Sequence, residues 1–492
     1  MMNSQLPNIL WICCDQQRHD SIAGLGNPFL KTPNIDKLMD EGTTFLRAYT
    51  QCPVCTPSRA SFLTGRYPRT TRVLRNGNEY FPPDETLVTK LFSNYGYDGG
   101  LVGKLHLSAA EGMVEVRPDD GYRFFEWSEH PHDDWEEGHD YQEWLKEKGI
   151  RWEERYPLGD GKNQSSEGNA WKEALPPDKG GMEAEYHQTT WAFERARAFI
   201  EEERGGRPWL LSINIFDPHP PFDPPIEFRK RFDPEAMPLP LWREGELDGK
   251  PPIHREDYLK GSQGGTGPCS SRKKDDEKRQ LIADYYAQIE LIDENVGKIL
   301  HYLEKTGQRE NTILVYHSDH GEMLGDHGLY WKGAYVYEQL IHVPMIFSWP
   351  GRIRSGFKSN ALVELVDIAP TLLELAGFEV PYYMQGKSLA PILRGSGEMD
   401  FHKDHIYCEY YNAMVGVHDR YISIYFDGRI KIAVHHGEEM GELYDLEKDP
   451  CEFENLWDNC GYEKCKWEYM KKCFDSAIMA NMDPKPRVIR YF

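Results

Sequence analysis

Long apolar runs are missing from this chain. No stretch approaches the roughly 18 residues that a membrane-spanning helix needs. The first residues, Met1-Met2-Asn3-Ser4-Gln5-Leu6-Pro7, carry no basic cluster, and the apolar run from Ile9 to Cys14 stops at Asp15. That pattern reads as a buried strand rather than an export signal, so a cytoplasmic protein without a membrane partner is expected. Positive charge is also scarce. Lys and Arg number 57 against 80 Asp and Glu, a formal net charge of −23. Such a balance argues against nucleic acid or an anionic membrane surface as the main partner. It leaves a small anionic substrate open, because a local basic pocket dominates within a Debye length of about 8 Å. Cys451, Cys460, Cys465 and Cys473 lack the paired C-x-x-C spacing of a structural zinc site. Cys13 and Cys14 are adjacent in a predicted buried strand, so reduced thiols are expected rather than a disulfide framework.

What is present suits a large enzyme. Apolar residues make up 39% and charged residues 28% of 492, which exceeds the size at which one core usually stops growing. Continuous apolar strands alternate with helical patterns from Pro7 to about residue 375. Asn8 to Cys14, Pro208 to Phe216, Thr312 to Tyr316 and Val343 to Phe347 read as strands. Tyr186 to Glu203, Leu281 to Leu303 and Asp367 to Ala376 read as helices. The prediction is an α/β fold with a large, mostly parallel sheet covered by helices on both faces. Short strand-like pieces after residue 380 suggest a smaller α+β domain, giving domains 1–380 and 381–492. Two inserts, 127–182 and 233–276, are too long for plain connections and are expected to be functional or mobile.

One run stands apart: Cys55-Thr56-Pro57-Ser58-Arg59-Ala60-Ser61-Phe62-Leu63-Thr64-Gly65-Arg66. By itself it describes a thiol ahead of a Pro-started helix. It also resembles the signature with which sulfatases have one cysteine oxidised to formylglycine. Five further segments are similar to that family, within the alkaline-phosphatase-like superfamily: Asp15-Gln16, Gly103-Lys104-Leu105-His106, Asp217-Pro218-His219, Ser318-Asp319-His320-Gly321 and Tyr330-Trp331-Lys332-Gly333. The first four sit at predicted strand ends, where open α/β sheets place their sites.

The resemblance implies a chemistry. Sulfate-ester hydrolysis needs a nucleophile at sulfur, cations around the non-bridging oxygens and a proton for the departing alkoxide. Formylglycine from Cys55, as its hydrate, would be that nucleophile, produced by a formylglycine-generating enzyme. His106 would take the proton from the second hydroxyl, since an imidazole titrates near working pH. Lys104, His219 and Lys332 would hold the sulfate, His219 or Lys332 would protonate the leaving oxygen, and Arg59 would orient the hydrate. Asp15, Gln16, Asp319 and His320, with the oxygen of the matured Cys55, look like ligands of one divalent metal. Oxygen donors favour calcium, with magnesium or manganese as alternatives. Gln16 replaces the more usual Asp and His320 the frequent Asn, a variation shared with phosphonate monoester and phosphodiester hydrolases. One imidazole more and one carboxylate less shift the balance toward manganese.

Each residue has a plainer reading. Alone, Asp15 is a turn residue, Lys104 and Lys332 are solvated charges, and His219 between prolines is a packing residue. Their joint occurrence in order favours the site. Asn76 and Asn78 either touch substrate or serve a turn. His130, His132, Asp133, Asp134 and His139 form either a substrate-facing insert or a solvated loop, less readily a second metal site. Asn163-Gln164-Ser165 fits a glycosylation acceptor without a secretory context. The expected activity is hydrolysis of a small sulfated saccharide. The alternatives are a phosphonate monoester or phosphodiester hydrolase, and a non-catalytic binder of sulfated glycans.

Overall fold

A computed structural model describes residues 6–110, 112–131, 135, 137–152, 175, 178–414, 417 and 419–483. His132, Asp133, Asp134 and the Asn163 acceptor lie outside them. In chain order the strands are β1 (Asn8–Cys14), β2 (Gly42–Phe45), β3 (Ala48–Tyr49), β4 (Asp98–Gly103), β5 (Phe124–Trp127), β6 (Trp209–Ile215) and β7 (Thr312–Ser318). They continue with β8 (His342–Val343), β9 (Met345–Ser348), β10 (Phe357–Ser359), β11 (Val363–Glu364), β12 (Ile406–Tyr411), β13 (Tyr421–Phe426), β14 (Ile430–His435) and β15 (Glu442–Asp445). Eight of them form one sheet in the order β10-β2-β9-β7-β1-β6-β4-β5. All are parallel except β9, which runs against both β7 and β2.

Strand β1 shows why this sheet is covered on both faces. Its side chains alternate in direction: Ile9, Trp11 and Cys13 enter one apolar cluster, Leu10, Ile12 and Cys14 the other. The first cluster is closed by α2 (Cys55–Thr64) and by a helix at Ile368–Leu375. The second is closed by α1 (Pro33–Asp40) and the helices Gln188–Glu201 and Asp275–Lys305. Each fully buried aliphatic side chain contributes about 1.5–3 kcal/mol, so a strand apolar on both sides is anchored from both sides.

The strand expected from Val343 to Phe347 is instead two pieces. Pro344 has no N–H for a ladder, and the chain breaks there into β8, beside β3, and β9, in the main sheet. The insert 233–276 is not unstructured, since it carries a helix at Pro252–Lys260. Strands β12 to β15 form a separate antiparallel sheet backed by the helix Glu463–Ala480. That sheet shares an apolar cluster with Cys52, Val54 and Tyr337, so it packs directly behind the segment leading into α2. Among the described residues no helix is long and apolar enough to cross a membrane.

The register aligns the strand ends. Cys14 pairs with Ile215 on one side and Ser318 on the other, and Gly103 pairs with Asn214. Hence Asp15, Lys104, Phe216 and Asp319 leave the sheet at the same edge. Gly103 is required there, because its φ is 102° and a Cβ would lie 2.0 Å from the Asn214 carbonyl oxygen. Gly103→Ala is expected to cost about 1–3 kcal/mol from backbone strain alone and to displace Lys104. Thermal unfolding checks this, and an unchanged midpoint would contradict it.

Candidate active site

The thiol of Cys55 is the meeting point. Cys55 opens α2, where unsatisfied backbone N–H groups make a positive field. Val54 ahead of it offers no side-chain cap. The missing cap comes from outside, with Asn76 Oδ1 accepting from the Thr56 N–H at 3.0 Å. Ser58 Oγ donates to the Asp319 carbonyl at 2.7 Å, which ties the first turn of α2 to the end of β7.

Around the sulfur stand groups from four segments. Lys332 Nζ is 3.0 Å from Sγ, His320 Nε2 3.2 Å, Asp15 Oδ1 3.6 Å and Lys104 Nζ 3.8 Å. All are buried. Burial and the Asp15 carboxylate push the thiol up, but Lys104, Lys332 and His320 more than offset them and bring it to about 6. Burial also works against the Asp15 anion, yet Lys104, His219, Arg59 and Lys332 hold its carboxyl well below the usual range.

Arg59 lies one helical turn along, and its hydrogen bonds go elsewhere than to the thiol. It donates to Oδ2 of both carboxylates, from Nη2 to Asp15 at 3.1 Å and from Nε to Asp319 at 3.0 Å, and from Nη1 to the Lys104 carbonyl at 2.9 Å. Oδ1 of Asp15 thereby faces the sulfur, and Oδ1 of Asp319 accepts from the Gln16 and His320 N–H groups at 3.0 and 2.9 Å. The Arg59 hydrogen bonds therefore hold the two carboxylates beside Cys55.

These groups suit a divalent cation. Asp15, Cys55, Asp319 and His320 each present a ligand atom, and these atoms lie within 4.8 Å of one another. His320 Nδ1 is 2.9 Å from the Gly321 carbonyl. The carbonyl can only accept, so Nδ1 carries a proton, and in the neutral ring the lone pair is at Nε2. Gln16 is turned by a carboxylate that sequence reasoning missed. Its Nε2 donates to buried Glu322, and its Oε1 faces the site, 2.9 Å from Lys332 Nζ. Glu322 also accepts from the Leu324 and Trp331 N–H groups, so the orientation of Gln16 is built into the loop that carries Lys332. Backbone strain gathers at the same place, with φ positive at Gln16 (70°), His106 (54°) and Trp331 (60°). Such residues cost of order 1–3 kcal/mol each and persist only where the surroundings over-determine them.

The other predicted residues lie further out. His219 Nδ1 is 2.7 Å from the Pro220 carbonyl, and its ring packs on Phe216 and edge-on to His130. His106 makes no hydrogen bond to Cys55. Its Nε2 is 3.6 Å from Glu129 Oε1, and burial drives its pKa down to about 3, so it is neutral. Glu129, at the start of the first insert, was invisible in the sequence because no motif surrounds it. Asn76 serves as a helix cap through Oδ1, while the Asn78 carbonyl accepts from Ala109 at 2.7 Å. The His139 ring lies between two backbone N–H groups, that of Glu129 3.2 Å from Nε2 and that of Gln142 3.3 Å from Nδ1, and a neutral imidazole accepts from one of them.

With this geometry in place, comparison with known proteins is decisive. A family model described as Sulfatase matches residues 7–378. The chain belongs to the sulfatase family. A second model, N-sulphoglucosamine sulphohydrolase C-terminal, matches residues 325–477 of this sulfatase. An arylsulfatase of Clostridium perfringens is 31% identical, covering 95% of this chain and 93% of its own. An N-acetylglucosamine-6-O-sulfatase of Bacteroides thetaiotaomicron is 27% identical, over 94% and 85%. Among solved structures, a phosphonate monoester hydrolase from Silicibacter pomeroyi superposes with a TM-score of 0.80 at 24% identity, over 97% and 96%. Family membership makes the protein a hydrolase of the sulfatase class with the alkaline-phosphatase-like fold expected from its sequence.

Arg59→Leu would remove the buried cation shared by Asp15 and Asp319, leaving Asp15 to Lys104 and Asp319 to backbone N–H donors, and breaking such a buried pair costs about 3–5 kcal/mol. A marked fall in the thermal midpoint is expected. A variant as stable as the parent would show that Arg59 does not hold the carboxylates.

Proposed function

We propose that this sulfatase hydrolyses the sulfate ester of a small saccharide, with Cys55 matured to formylglycine by a formylglycine-generating enzyme. The observation that carries the reading is the convergence of two lysines, one imidazole and one carboxylate on the Cys55 sulfur at a helix N-terminus. A site of that composition holds an anion beside a nucleophile. Formylglycine, once formed, supplies a hydrated aldehyde as that nucleophile. A bound divalent cation, calcium as first choice, supplies charge against the ester oxygens; Asp15, Gln16, Asp319 and His320 would hold it together with the matured side chain.

The chain's own residues then have separate tasks. Lys104, Lys332 and His219 surround the sulfate oxygens. Neutral His106 is the proton acceptor, and Lys332 or His219 returns a proton to the departing alkoxide oxygen. Preorganised donors of this kind act where charge develops, in a site closed to water. Asn78 is left to the sugar side of the pocket. The saccharide assignment is supported by the C-terminal family model and by the N-acetylglucosamine-6-O-sulfatase relative. Ten unpaired cysteines, Cys13 and Cys14 among them, support a reducing compartment such as the cytoplasm.

A second reading has its own observation. A phosphonate monoester hydrolase has the same fold, and the resemblance read from Gln16 and His320 points the same way. Rates on an aryl sulfate and an aryl phosphonate monoester, with calcium and with manganese, separate the two. The sulfate is expected to be preferred by about tenfold or more in kcat/KM, a difference well within what differential transition-state binding supplies. Cys55→Ala and metal chelation should each abolish turnover, with metal re-addition restoring only the chelated sample. Preference for the phosphonate would replace the first reading with the second. Intact mass showing an unaltered thiol in the active protein would overturn both.

A further inference from the structure

Glu129 is a buried acid in a pocket otherwise arranged for an anion. Its Oε1 lies 3.5 Å from Lys104 Nζ, 3.6 Å from His106 Nε2 and 3.9 Å from His130 Nδ1. These three nitrogens come from two segments, the turn after β4 and the first insert. One carboxylate oxygen therefore gathers the groups on one side of the site. Burial raises the Glu129 carboxyl, but the Lys104 ammonium 3.5 Å away works against it and the carboxyl lies below its usual range, so it stands as an anion. Its backbone is fixed as well, since its N–H lies 3.2 Å from His139 Nε2 and its carbonyl accepts from Gln188 Nε2 at 2.6 Å. The carboxylate is thus rigidly placed.

We propose that Glu129 is a positioning residue for the reaction: it orients His106 and draws Lys104 away from full engagement with a bound anion. Through His130 it also reaches the other side, because the His130 ring meets His219 edge-on with centroids 5.3 Å apart and planes at 88°. The inference rests on the site reading above, in which Lys104 binds the substrate anion and His106 takes the proton.

The physical consequence has an unusual sign. Lys104 Nζ is shared between Asp15 Oδ2 at 2.7 Å and Glu129. A negative charge beside that ammonium opposes a bound oxyanion by direct repulsion. Removing the charge should therefore tighten ground-state binding of the anion. The same change releases His106 and lowers the rate. Binding that is stronger in the ground state alone does not raise kcat.

The test uses the matured, metal-loaded full chain and its Glu129→Gln and Glu129→Asp variants. Calorimetry with inorganic sulfate, and separately with methylphosphonate, is combined with kcat and KM on the aryl ester that the parent turns over. For Glu129→Gln, several-fold tighter anion binding is expected with kcat lower by about 10–100-fold, the usual effect of losing an orienting partner. Glu129→Asp keeps the charge and should recover anion affinity close to the parent's and part of the rate. A merely structural role would weaken binding and rate together. Weaker or unchanged anion binding in Glu129→Gln, or a kcat within about threefold of the parent, would overturn the proposal. If the parent binds methylphosphonate but not sulfate, the sulfate reading fails and the Glu129 comparison is judged on methylphosphonate. If it binds neither, both fail.

Discussion

The guanidinium of Arg59, sealed from solvent between two carboxylates, is the interaction on which the rest of the site depends. Three buried charges would be expensive singly, and they are tolerated because their geometry is mutual. Arg59 takes Oδ2 of Asp15 and of Asp319, while Oδ1 of Asp15 faces the Cys55 sulfur and Oδ1 of Asp319 accepts from the Gln16 and His320 N–H groups. Those aspartates end adjacent parallel strands, and Arg59 lies in the helix that begins with Cys55. One side chain therefore locks the reactive position of α2 against β1 and β7. Ser58, bonded to the Asp319 carbonyl, repeats the same tie through the backbone.

Around this lock the fold divides its labour. The sheet contributes fixed exits: Asp15, Lys104 and Asp319 occupy positions set by ladder register rather than by their own contacts. The loops contribute reach, because Lys332, His320 and Glu129 come from segments that leave the sheet and return to it. Positive φ at Gln16, His106 and Trp331 marks where loop geometry is held against its preference. The antiparallel C-terminal sheet supports this from behind, sharing an apolar cluster with the segment that enters α2.

Much of this was legible beforehand, for identifiable physical reasons. The continuous apolar run in Asn8–Cys14 announces a strand buried on both faces, and it lies in the middle of the sheet. Strand-end polar residues such as Asp15 and Asp319 announce a site because burial there is costly without partners. What escaped was long-range. The reversal of β9 depends on Pro344 breaking a run whose composition is otherwise uniform. Glu129 and Glu322 act on Lys104, His106 and Gln16 across the fold, and nothing local to them in sequence says so. The Oδ1 of Asn76 is an external cap for α2, a role that depends on where that helix starts in space.

The central claim is that Asp15, Asp319 and His320 hold a divalent cation against the side chain at position 55. Anomalous diffraction from a crystal of the matured protein soaked in manganese tests it most directly. A single strong peak is predicted about 2.0–2.6 Å from Asp15 Oδ1, Asp319 Oδ1 and His320 Nε2, the span of bond lengths for hard divalent cations. No peak there, with the three side chains ordered as described, would contradict the account.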